Sequence, residues 1–115
     1  MPSGPRVVAK PEASADLFAA LGDPTRLRLV SRLSVAGPMS IARLTEGSDV
    51  TRQAITKHLR VLQESGLVHS ARQGRENVWQ LDQRRLADAR RYLDMISRKW
   101  DNALLRLSKF VEDAR

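Results

Sequence analysis

The stretch from Ser40 to Gly66, SIARLTEGSDVTRQAITKHLRVLQESG, decides the fold. Ser40 is placed to cap a very short helix, Ile41 to Glu46, with Ile41 and Leu44 turned inward. Gly47-Ser48-Asp49-Val50 reads as a turn, and Thr51 caps a second helix that runs to about Ser65 and stops at Gly66. Two helices joined by so short a turn form a helix-turn-helix. Along the second, Ile55, Leu59 and Leu62 recur at i, i+4 and i+7 and make one buried stripe. Its other side carries Gln53, Thr56, Lys57 and Arg60 at helical spacing, with Thr51 and Arg52 at the amino end and no acidic residue before Glu64. A merely solvated face ordinarily mixes both signs. Cations, an amide and hydroxyls suit phosphate oxygens and base edges, since Arg pairs with guanine and Gln with adenine in a major groove that admits one helix.

Downstream, Leu67 to Gln73, then Gly74, then Arg75 to Leu81 have the spacing of a β-hairpin, with Trp79 and Leu81 on one face. A hairpin directly after a helix-turn-helix is a wing, and Arg72, Gln73 and Arg75 at its tip are suited to phosphates or an adjacent minor groove. Upstream, Asp23-Pro24 starts a helix that runs to about Val35, with Leu27, Val30 and Leu33 at helical spacing, and Gly37-Pro38 ends it. Ser14 to Leu21 is a short helix closed by Gly22, with Leu17, Phe18 and Leu21 on one side. Residues 1–13 hold three of the five prolines and are expected to be a flexible arm. The expected architecture is one domain over residues 14–115, mainly α with a β-hairpin wing.

Asp82 caps a long last helix, roughly residues 83–112. Positions 86, 93, 100 and 107 are Leu, Leu, Trp and Leu, while 89, 96, 103 and 110 are Ala, Ile, Ala and Phe, a heptad pattern widened by Leu104 and Val111. So long a stripe exceeds what the preceding chain can cover. Leu86, Leu93, Ile96, Trp100, Leu104, Leu107 and Phe110, with Leu17 and Phe18 of the first helix alongside, are therefore expected to form a homodimer interface.

Composition agrees with that assignment. The 115 residues carry 20 Lys and Arg against 13 Asp and Glu, a net charge of +7 that favours nucleic acid over an anionic membrane surface or plain solubilising charge. Over residues 51–91 there are nine Lys and Arg against four Asp and Glu, so the excess gathers in the helix-turn-helix and wing. Cysteine is absent, which removes disulfides, thiolate metal sites and thiol nucleophiles and fits a reducing cytoplasm. No apolar run approaches the ~20 residues of a membrane span. Of the two histidines, His58 beside the core stripe reads as packed or bonded to backbone, or else as a phosphate contact, and His69 carries no special role. A nucleophile–base pair, a Gly-rich phosphate loop and a ligand cluster are all missing, so an enzyme is not expected.

The segments Ala20-Leu21-Gly22-Asp23-Pro24-Thr25-Arg26, Gln53-Ala54-Ile55-Thr56-Lys57-His58-Leu59-Arg60-Val61-Leu62 and Glu64-Ser65-Gly66-Leu67-Val68 resemble the signatures of the ArsR/SmtB family of winged-helix bacterial repressors. The likeness extends from Asp16 to Val111. It implies that Thr51 to Ser65 is the recognition helix, Arg72 to Glu76 the wing, and the first and last helices the dimer interface. The chain departs from the family's metal-sensing pattern: the cysteine pair at the start of the recognition helix is missing, and residues 83–115 contain no His. Asp88, Asp94 and Asp101 read as helix-surface charges, and no metal or other cofactor is expected. The likeness is to a non-metal branch whose small-molecule effectors vary, and the effector here is unknown. The expected function is a sequence-specific regulator, a repressor that binds a palindromic operator in double-stranded DNA as a homodimer. The competing expectation is a winged-helix adaptor whose basic face docks an acidic protein.

Overall fold

The computed structural model describes residues 11–114. Helix α1 spans Pro11–Leu21, so the expected arm loses Pro11 to Ala13 to the helix and its remainder lies outside the described residues. A proline at the first helical position forfeits no hydrogen bond, which is why a helix begins there. Helix α2, Pro24–Ala36, starts on Asp23, whose carboxylate accepts from the Arg26 amide at 3.0 Å, and closes on Gly37 with φ of 81°. Strand β1, Met39–Ser40, leads into α3, Ile41–Thr45, capped by Ser40. Helix α4 covers Arg52–Glu64 behind the cap Thr51. Strands β2, Val68–Gln73, and β3, Glu76–Leu81, form the hairpin, and α5 runs over Gln83–Asp113 behind the cap Asp82.

The sheet is antiparallel with β3 in the centre, Met39 opposite Trp79 on one side and Val68 opposite Leu81 on the other. The hairpin was legible in the sequence, whereas its third strand is only two residues long and has no period to read. Pairing through β1 joins the wing to the start of α3 and so fixes the hairpin against the helix-turn-helix.

The core gathers Leu29, Leu33, Leu44, Ile55, Leu59, Leu62 and Leu67 beneath α1, with Trp79 and Leu81 packed at its edge. Three expectations are corrected here. Leu17 is fully buried within its own subunit and Leu86 packs against the same core, because α1 and the first turns of α5 cover the domain itself. Leu17 is therefore not free to form an interface, and Leu86 is covered in part by its own subunit. Asp88 is buried rather than a surface charge, held between Arg85 and Arg91.

Candidate nucleic-acid interface

Helix α4 forms because Thr51 Oγ1 accepts from the Ala54 amide at 3.2 Å and because burying Ile55, Leu59 and Leu62 rewards the helical period. That burial determines what faces outward. Thr51, Arg52, Gln53, Lys57 and Arg60 are exposed, and Thr56 is partly covered, its hydroxyl donating to the Arg52 carbonyl at 2.9 Å. Among the described residues no acid draws Arg52, Lys57, Arg60, Arg72 or Arg75 into an ion pair, so their charge is directed at solvent.

Several groups hold α4 in place. Arg32 on α2 donates to the carbonyls of Leu44 at 2.7 Å and Arg43 at 2.9 Å, satisfying the C-terminal end of α3. Arg26 donates Nε to the Ala20 carbonyl at 2.6 Å, closing α1, while its Nη1 lies 3.2 Å from His58 Nδ1 on α4. His58 is thus a partly buried structural residue, as one of its readings held, but its partner is a guanidinium rather than backbone. Asp23 Oδ2 stands 3.8 Å from the same ring nitrogen, and the Arg26 amide holds the Asp23 carboxyl below its usual range. A sequence with no spacing rule for contacts 32 residues apart gives no sign of this bond.

At the hairpin tip Gly74 adopts φ of 64°, a left-handed conformation that lets β2 and β3 turn tightly and leaves Arg72, Gln73 and Arg75 exposed. The tip does not stand apart from α4. Ser40, Arg52, Thr56 and Arg75 line one hollow of about 520 Å³ together with Ser70 and Asn77. Ser40 spends one lone pair on the Arg43 amide at 3.3 Å and keeps its hydroxyl on the hollow's wall. Sequence reading missed Ser70 and Asn77, although Ser70 lies two residues before Arg72 and Asn77 pairs across from it, which places all three on one sheet face. Ile41, Ala42, Trp79 and the acidic Glu76 complete its lining, and the hollow joins the amino end of α4, the start of α3 and the wing in one surface where Arg52 and Arg75 meet.

Along α5 Leu93, Trp100, Leu104, Leu107 and Phe110 are all more than half exposed, with Phe110 at 72%, while Ile96 is partly covered. Phe18 is half-buried, its ring centroid 5.8 Å from that of Tyr92. Metal sensing of the kind the resemblance brings to mind finds no fitting donor set. Cysteine is absent from the chain, Asp88 is engaged by two arginines, and no group of three His, Cys, Asp or Glu side chains gathers among the described residues.

A short helix, a turn, a basic second helix and a β-hairpin rising beside it define a winged helix-turn-helix DNA-binding domain. Comparison with known proteins gives the same class: a helix-turn-helix domain family matches residues 21–71. The chain is 37% identical over 93 residues to the HTH-type transcriptional regulator Rv2034 of Mycobacterium tuberculosis, a match covering 81% of this chain and 83% of that one. It is 39% identical over 59 residues to the arsenical resistance operon repressor of Escherichia coli, about half of each chain. Its fold superposes with a TM-score of 0.75 on an ArsR-like transcriptional regulator from Rhodococcus sp. RHA1, at 35% identity, covering 86% of this chain and 92% of that one. The chain belongs to the ArsR/SmtB family of winged helix-turn-helix transcriptional regulators.

Proposed function

We propose that this regulator is a repressor that binds a near-palindromic operator as a homodimer, inserting one α4 into each of two successive major grooves. The observation that carries the reading is the pairing of two exposed surfaces: the unneutralised cationic face of α4 with the wing, and the apolar stripe of α5. Arg52 and Gln53, at the amino end of α4, read base edges, joined by Thr56, Lys57 and Arg60 along the groove. Arg72, Gln73 and Arg75 grip phosphates or the neighbouring minor groove, and Thr51 and Ser40 add hydroxyls to the backbone contact. Leu93, Ile96, Trp100, Leu104, Leu107 and Phe110 meet a second copy, with Phe18 at the margin.

A dimer seated on a promoter excludes polymerase by occupancy alone. The test is to footprint the protein on the DNA upstream of its own gene and to titrate the protected duplex against random sequence. Protection of two half-sites about 10 bp apart, or a multiple of that, is expected. With ~6 to 10 phosphates neutralised, affinity should fall about 10³ to 10⁵ between 50 and 200 mM salt. Equal affinity for operator and random duplex would return the reading to the adaptor that docks an acidic protein.

A further inference from the structure

The carboxyl end of α4 is fastened to α5 by a joint that the DNA contacts do not use. Arg85, in the first turn of α5, donates Nε to the carbonyl of Ser65, the C-cap of α4, at 2.9 Å. A guanidinium there satisfies an orphan carbonyl and faces the negative end of the helix dipole. Gly66, next in the chain, turns left-handed with φ of 82°, and a Cβ on it would come within 3.4 Å of Arg85 Nε. The positive φ is what calls for glycine there, and the guanidinium lies beside it against the helix end.

Arg85 is itself aimed. Its Nη1 lies 3.5 Å from Asp88 Oδ2, one turn further along α5, and Asp88 Oδ1 takes Arg91 Nη1 at 3.1 Å. The Asp88 side chain is only 5% exposed. Burying a carboxylate is expensive, and an apolar residue at that position would serve stability as well or better. What the ion cluster adds is direction, because a planar guanidinium held on one side by a carboxylate has one way to present its remaining donors. Helix α5 otherwise packs chiefly on α1, and this joint adds a polar tie to the end of α4 beside the apolar contacts of Leu86 and Ala89 with the core. One turn earlier, Asp82 at the cap of α5 takes His69 Nε2 of β2 at 2.7 Å, so the same end of α5 also holds the wing.

We propose that Arg85, aimed by Asp88, is a positioning residue for DNA reading: it sets the angle between α4 and the dimerisation helix, and through it the separation of half-sites that the dimer accepts. The inference rests on the operator-binding dimer proposed above. Its test is selection from a duplex library in which the two half-sites are kept and the spacer between them varies. The wild-type protein selects one spacing. Arg85→Gln and Asp88→Asn remain dimeric but accept neighbouring spacings, with the ratio of operator to random affinity down about tenfold. Arg85→Lys, which keeps the charge and one donor, recovers part of that ratio.

The slope of affinity against salt separates positioning from contact. It stays at the wild-type value in Arg85→Gln if the residue acts through α4, and becomes shallower if Arg85 touches a phosphate. Wild-type spacing selection in a folded Arg85→Gln dimer, or a shallower slope, overturns the proposal. Should Asp88→Asn fail to fold, Arg85→Gln decides alone. A wild-type protein that ignores sequence and spacing altogether would instead sink the operator reading, and this inference with it.

Discussion

Asp82 shows how one side chain can serve two elements. Its Oδ1 accepts from the amides of Arg84 and Arg85 and so starts α5, while its Oδ2 takes His69 of the wing strand. The bond from His69, followed by those two amides, holds the Asp82 carboxyl below its usual range. A folded-state pKa below the unfolded one means stability that is present at neutral pH and lost as pH falls through the ordinary aspartate range and below it. Asparagine caps helices about as well as aspartate, so Asp82→Asn removes the charge and spares the cap. The expected cost is about 1 kcal/mol at neutral pH, His69 being half exposed. Chemical denaturation of both proteins from pH 7 to pH 2.5 should show the gap closing toward the acid end. A gap independent of pH would mean that the carboxylate contributes no charge-dependent stability.

At the level of helices and strands, the caps and the core stripe of α4 were legible because each rests on neighbours within four residues. Asp23, Ser40, Thr51 and Asp82 all cap the helices their positions announced. The missing parts are long-range. Strand β1 exists through Trp79 and Val78, His58 is bonded to Arg26, and Asp88 is buried because α5 rolls that flank onto the body. A heptad count shows which side of α5 is apolar but not how far its own domain covers it, which is why Leu86 reads as a dimer residue from the sequence, and an apolar face on α1 leaves the same question open for Leu17. The α4 stripe itself predicts its energetics. Leu59 has no exposure at all, so Leu59→Ala leaves a cavity costing ~2 to 5 kcal/mol, a large share of the ~5 to 15 kcal/mol that stabilises a domain of this size. Thermal melting of that variant should show a drop well beyond the 4–8 °C that ~1 kcal/mol gives a domain of up to about 100 residues.

The same helix supports a second prediction about its outer face. Arg52 and Gln53 stand exposed at the amino end of α4, the end proposed to read base edges, whereas Arg72 and Arg75 stand on the wing. Arg52→Ala and Gln53→Ala should each lower operator affinity by roughly 1–3 kcal/mol and relax preference at one or two base positions. Arg72→Ala and Arg75→Ala should weaken operator and random duplex alike and reduce the salt slope by about one charge each. Binding measured on operator, on point-mutated operators and on random DNA distinguishes the two. Uniform losses from all four variants would dissolve the proposed division between reading and gripping.

For the whole molecule the decisive feature is the outer half of α5. A 31-residue helix is about 46 Å long, and only its first turns lie on the body, leaving Trp100 at 64% exposure and Leu107 at 58%. Such a surface on an isolated chain invites association, and a two-fold pairing would bury it on both copies at once. The consequence of the proposed pairing for DNA would be one of effective concentration: once one α4 is seated, the second half-site would be met at roughly millimolar local protein, which multiplies affinity without any new contact. Trp100→Glu places a charge in the middle of the proposed seam, where neither copy can solvate it, and should give a monomer by sedimentation. The two-site operator should then bind about 10² or more times weaker, while a single half-site binds as before. Melting supplies an independent measure, because the wild-type midpoint should rise with protein concentration and that of the variant should not. A Trp100→Glu protein that sediments as a dimer would move the interface off α5 and leave its apolar stripe to some other partner.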